Sequence, residues 1–173
     1  MRASVLAVAV TACALMSQAQ QPELHDVPHD GNCLFSAVAL STTLSADGAT
    51  GAVSEAASLR ASAMDVLCPP TSSGLDANLD LGGLPAPLVV ERLHGESEIG
   101  YCQRMRRNGE WGTTAEILAL TRVLRREIRV LTSFGVEPYG AEQSAESSLP
   151  PLFVHFANGH YRAATLRSDK PDL

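Results

Sequence analysis

Apolar residues recur at helical spacing up to about residue 125 and alternate with polar ones after it. Cys33 to Leu44 (CLFSAVALSTTL) is dense in apolar side chains and predicts a buried helix, with Asn32 as its N-cap. In Val53 to Leu67 the residues Val53, Ala56, Ala57, Arg60-Ala61, Met64 and Leu67 recur three or four apart, a second helix. Residues 69–87 are rich in Pro, Gly, Ser and Asp and read as a long surface loop. Leu88 to Arg107 reads as one helix ending at Asn108-Gly109. Thr113-Thr114-Ala115-Glu116 is a capping box that opens a helix to about Arg125, with Ile117, Leu120, Thr121 and Leu124 facing inward. Three strands follow, Glu127–Thr132, Leu152–Phe156 and Tyr161–Leu166, with a loop over Gly135–Pro151 and a hairpin turn at Asn158-Gly159. Helices first and a hairpin last describe an α+β fold with a small antiparallel or mixed sheet.

A length of 173 residues suits one domain, and 45% apolar with 18% charged residues excludes a disordered chain. The net charge of −6 argues against nucleic acid or an anionic membrane as partner, because such binding needs a basic face. Residues 1–22 carry no acid and a single base, Arg2, followed by an apolar run from Val5 to Met16. That run is too short to span a bilayer but fits a signal peptide, and Ser17-Gln18-Ala19 offers a cleavage site. Residues 1–19 are therefore read as a targeting segment and 20–173 as the domain. Its removal deletes Cys13 and leaves an odd number of cysteines. Cys68 and Cys102 can pair or serve as small core residues; the second reading is taken here.

Cys33 stands apart. Asp30-Gly31-Asn32-Cys33 puts a thiol on the first turn of a buried helix, straight after a glycine-bearing turn. Helix N-terminal N–H groups and the dipole favour thiolate, the attacking species, and the same N–H groups can receive an oxyanion. A distant imidazole in Asn158-Gly159-His160-Tyr161 supplies the base that takes the thiol proton and later protonates a leaving amine. His155 reads as a strand residue with a structural partner. His25, His29 and Cys33 recur every four residues, but Pro28 and Asp30-Gly31 break any helix there, so no metal site is expected.

Several blocks together carry a resemblance. Asp30 to Phe35 (DGNCLF), Tyr101 to Met105 (YCQRM), Glu110 to Thr113 (EWGT), Glu116-Ile117 with Ala119-Leu120, Ile128 to Val130 and Gly159-His160-Tyr161 resemble, in order and spacing, the ovarian-tumour (OTU) cysteine proteases. The similarity runs over about residues 25–166. It implies a single papain-like α+β domain, with a small central β-sheet packed between helices, and ubiquitin isopeptidase activity without a cofactor. It also implies Cys33 as nucleophile, His160 as general base and Asp30 as the acidic motif residue that helps shape the oxyanion site. Trp111 and Tyr161 are the implied substrate contacts, Trp111 walling a channel for a Gly-Gly tail unless it is simply a packing residue. Glu137, Glu142 and Glu146 would then complement an arginine-bearing ubiquitin tail. One position departs from the pattern: where such enzymes carry Asn or Asp two residues after the histidine stands Arg162, which has donors only and cannot hold the imidazole N–H. Asn158, Asp169, Asp26, Asp30 or a water are the substitutes.

Two competing readings follow. Arg162 prompts a catalytically silent ubiquitin-binding module, and the N-terminal segment prompts a secreted thiol protease with another substrate. The protein is expected to act as a monomer, secreted if the segment is a signal peptide and cytoplasmic otherwise.

Overall fold

The computed structural model describes residues 22–45, 56–72, 74–142 and 147–166, so the proposed targeting segment, Glu146 and Asp169 lie outside it. Helix α1 (Cys33–Leu44) has apolar side chains around its whole circumference, and Cys33, Leu34, Phe35, Ala37, Val38 and Ala39 are all buried. A helix apolar on every side must be covered on every side. Helix α2 (Ala56–Leu67) and the sheet strands pack against it. Ser41, a buried polar residue on α1, donates its hydroxyl proton to the Phe153 carbonyl at 2.7 Å.

Further along lie α3 (Ala86–Val89), α4 (Glu98–Met105) and α5 (Thr114–Leu124). The capping box holds: the Thr113 N–H donates to Glu116 Oε2 at 2.7 Å. Helix α5 packs on α2 along Ile117 and Leu120, while Leu124 is only half buried. Instead of one helix over 88–107 there are two short ones. Val90 leaves α3 in extended backbone, Gly95 sits at φ +74°, and the Ser97 hydroxyl accepts the Gly100 N–H to start α4 anew. The break is secured by Arg104, whose guanidinium pairs with Glu96 at 2.8 Å.

The strands are β1 (Glu23–His25), β2 (Ile128–Thr132), β3 (Gly135–Tyr139), β4 (Leu152–Ala157) and β5 (His160–Thr165). They form one mixed sheet in the order β1-β5-β4-β2-β3, parallel only between β2 and β4. Ile128, Val130, Leu152, Val154, Tyr161 and Ala163 are buried; in β2 and β4 the alternate residues Arg129, Leu131, Phe153 and His155 are half buried, whereas in β5 His160 and Ala164 are buried as well. Two strands differ from expectation. β1 has no counterpart among the predicted elements, being too short to show a pattern. β3 occupies the start of the predicted 135–151 loop; it is a mostly exposed edge strand, so no side is apolar, and Pro138 is tolerated because an edge needs fewer donors. The β4–β5 turn is as predicted, with Asn158 and Gly159 at φ +52° and +73°.

The cysteine reading is overturned. Cys68 and Cys102 form a disulfide, 34 residues apart in sequence, that ties the end of α2 to α4. Burial had been expected and is observed, but the two chain segments converge there, which spacing alone does not reveal. Arg106 reinforces the junction through the Cys68 carbonyl and Asp65, both at 2.7 Å. Replacing both cysteines by Ser should lower the unfolding free energy by about 4 kcal/mol, the chain entropy that a cross-link closing a loop of this size removes from the unfolded state. Urea denaturation measures it. Equal stability in the double variant would mean that the bond does not constrain the chain.

Candidate active site

Cys33 is the first residue of α1, 2% exposed and unpaired by any disulfide. The turn before it is organised by Asp30. Its carbonyl accepts the Cys33 N–H at 3.1 Å, and its Oδ1 accepts the Asn32 N–H at 2.8 Å. Those two N–H groups are thus already bonded, against the expectation that they stand free for an oxyanion. Asn32 holds the expected N-cap position, its carbonyl accepting the Ser36 N–H at 2.9 Å, but its side chain makes no cap bond. Its side-chain Oδ1 turns away to accept from the Gly109 N–H at 3.0 Å and from Arg60 Nη2 at 2.9 Å.

Those contacts clamp the Cys33 turn to the 105–112 loop. Gly31 faces Gly109 so closely that an added Cβ would lie 1.6 Å from its carbonyl oxygen, and one on Gly112 would lie 2.6 Å from Leu34 Cδ2. Arg60 completes the clamp. Its guanidinium donates to the carbonyls of Met105, Gly31 and Glu110 and lies 4.2 Å over the Phe35 ring. Burial lowers its pKa, while the nearby Glu116, Glu110, Asp30 and Cys33 favour its charged form. The sequence did contain a signal for it: a lone arginine on the apolar stripe of a helix needs an internal partner.

Trp111 projects from the clamped loop, 58% exposed, and its ring lies against Gly159, where an added Cβ would be 3.7 Å from Cζ3. His160, the next residue, opens β5 and is 8% exposed. Its imidazole stacks on His29, ring centroids 3.5 Å apart. Nε2 of His160 is buried with no hydrogen-bond partner. Burial lowers the His160 pKa most, with His29 and Arg162 acting in the same direction and Asp26 and the Val27 backbone opposing them. Arg162 points elsewhere, with Nη2 3.2 Å from His155 Nδ1 and Nη1 3.7 Å from Asp26. His155 has the structural partner expected of it.

Tyr161 is nearly buried and packs on Phe156 at 4.6 Å between centroids, so it forms the floor of this region and not an open contact surface. Burial pushes its phenol pKa up, and Tyr139, Cys33, Glu116 and Glu137 add to the effect. Behind the loop, buried Glu116 accepts a hydrogen bond from the Tyr101 hydroxyl. His25 lies on β1 and bonds Thr165 Oγ1 at 3.1 Å, while His29 is in a loop and Cys33 on a helix, so these residues share no helical face. Among the described residues no three His, Cys, Asp or Glu side chains group as metal ligands, and no helix is long and apolar enough to cross a membrane.

Residues 28–161 match the OTU-like cysteine protease family. The chain belongs to that family. Its OTU fold is shared with the OTU domain of OTUD1, at 20% identity and a TM-score of 0.56 over 90% of this chain and 93% of that one. The viral OTU domain protease from Taggert virus is similar at 17% identity and a TM-score of 0.57, covering 86% and 82%. An OTU deubiquitinase from Wolbachia pipientis wMel, solved bound to ubiquitin, is similar at 16% identity and a TM-score of 0.55, covering 84% and 96%. No curated protein matches the chain. The α+β OTU fold expected from the sequence is therefore the one observed.

Two substitutions probe the OTU clamp. Gly31→Ala should unfold the turn or displace it, because the added methyl has nowhere to go. Arg60→Ala should destabilise the domain by at least about 2 kcal/mol by leaving buried carbonyls without donors. Thermal unfolding and the alkylation rate of Cys33 measure both effects; wild-type values in either variant would show that the loops hold one another without these contacts.

Proposed function

We propose that this OTU protein is a cysteine deubiquitinase, cleaving ubiquitin or a ubiquitin-like protein from a lysine or from another ubiquitin. The observation that carries the reading is the clamp that sets the Cys33 turn against the loop bearing Trp111, whose ring abuts the residue before His160. The ubiquitin-bound Wolbachia relative supports the substrate class.

In this mechanism Cys33 is the nucleophile and His160 the general base. The imidazole takes the thiol proton, and the sulfur attacks the carbonyl of the substrate's C-terminal glycine. The lysine amine leaves with a proton from His160, and the remaining thioester is hydrolysed by a water that His160 deprotonates. Asp30 fixes the turn through its carbonyl and carboxylate. Trp111 supplies an exposed aromatic wall beside Gly159, over which a tail lacking side chains can pass; Tyr161 underlies the site. Of the acids expected to meet a basic tail, Glu137 lies exposed on β3 and accepts a hydrogen bond from the Tyr139 hydroxyl at 3.0 Å. Because burial lowers the His160 pKa, the neutral, proton-accepting form persists to more acid pH than an exposed histidine allows. The silent-module reading is less favoured, since Arg162 is engaged with His155 and Asp26 and makes no bond to the His160 ring.

Hydrolysis of a fluorogenic ubiquitin C-terminal amide tests the reading. Cys33→Ala should abolish turnover with the fold intact, and His160→Ala should lower it by about 10²-fold or more. Binding without turnover by the parent protein would favour the silent module. Arg162→Asn should raise activity or leave it unchanged; a large loss would assign Arg162 a role in substrate contact.

A further inference from the structure

The imidazole of His29, exposed and assigned no role above, lies face to face with the buried one of His160, centroids 3.5 Å apart and planes inclined by only 13°. We propose that His29 is a positioning residue, whose ring lies flat on His160, limits its rotation and shields it from water. The inference rests on the role given to His160 in the preceding section.

Three observations support it. First, the position two residues after His160 cannot orient the ring, since Arg162 has only donors and spends them on His155 and Asp26. Nε2 of His160 is left without a hydrogen-bond partner; a hydrogen bond to the Val27 backbone holds the edge of the ring, and the stacked His29 ring restrains its plane. Second, His29 immediately precedes Asp30, whose oxygens hold the N–H groups of Asn32 and Cys33. The stack therefore joins the turn that carries the thiol directly to the strand that carries the base. Displacement of one is felt by the other. Third, the groups that face His160 come from three places: His29 from the loop before α1, Asp26 from the end of β1, and Arg162 from β5. Burial under His29 and the neighbouring positive charges disfavour the imidazolium, while Asp26 opposes them. A flat cover that also repels a proton keeps His160 in the form a general base requires.

Two substitutions separate stacking from charge. His29→Phe keeps a flat ring and removes the charge; His29→Ala removes both. With the fluorogenic ubiquitin amide, His29→Ala should lower kcat at its pH plateau about tenfold with little change in KM, and His29→Phe should restore most of it. NMR titration of the His160 ring, in the full chain with Cys33→Ala so that the proposed nucleophile does not titrate with it, should give an apparent pKa rising from His29 to Phe to Ala. The order follows from losing first the repulsion and then the cover as well. Thermal unfolding checks that each variant is folded, which the exposure of His29 favours. A folded His29→Ala with parental kcat and an unchanged His160 titration would overturn the proposal, as would a folded His29→Phe no better than Ala. If the parent protein fails to turn over ubiquitin substrate but the titration order is as stated, the ubiquitin reading falls and the positioning role stands.

Discussion

The guanidinium of Arg60 is the group on which the arrangement of the cleft depends, because a buried charge must be met by oxygens and these come from two separate loops. Gly31 and Asn32 lie on the turn before Cys33, whereas Met105 and Glu110 lie in the segment leading to Trp111. Removing a charge from water costs several kcal/mol, so the interior conformation that supplies all these acceptors is strongly preferred over those that supply only some. The glycine contact at Gly31 and Gly109 then lets the backbones approach until no side chain fits between them. Thiol, aromatic wall and hairpin are placed relative to one another by this joint, and each is secured by its own element.

His160 is held differently. Around Cys33 the chain uses several hydrogen bonds, whereas the His160 ring is buried, stacked, bonded to the Val27 backbone and lacks a partner on Nε2. An imidazole without an accepting side chain is less firmly fixed in its tautomer, but it is also easier to keep neutral. Arg162, which would otherwise place a positive charge against the ring, is drawn aside by His155 and by Asp26. The departure from the common pattern at this position is thereby accommodated by residues on β4 and after β1.

The disulfide lies away from the proposed chemistry, yet it bears on where the protein folds. Bonds of this kind form and persist in oxidising compartments and are rare in the cytosol. By closing α2 onto α4, the bond also steadies the segment that ends in the clamped loop.

Much of this protein was legible in local pattern, because local pattern is what determines local structure. The capping box at Thr113, the all-round apolar helix at Cys33, the Asn158-Gly159 turn and the alternation of β2, β4 and β5 each reflect a preference of a few neighbouring residues. The thiol and the imidazole were legible as well, since each sits in a motif that announces its backbone setting. Contacts between distant segments were not. That Cys68 meets Cys102, that Asn32 turns from its helix to Gly109, that Arg60 bridges two loops and that His29 lies on His160 all require the chain to be closed first. Edge strand β3 escaped for a related reason: with neither face fully buried, it needs no periodicity and acquires its conformation by pairing with β2. The sequence by itself determined the local backbone settings of the residues proposed to carry the chemistry; only tertiary structure decided what holds them, because an interior charge, a bare backbone and a stacked ring are satisfied by partners that no local spacing encodes.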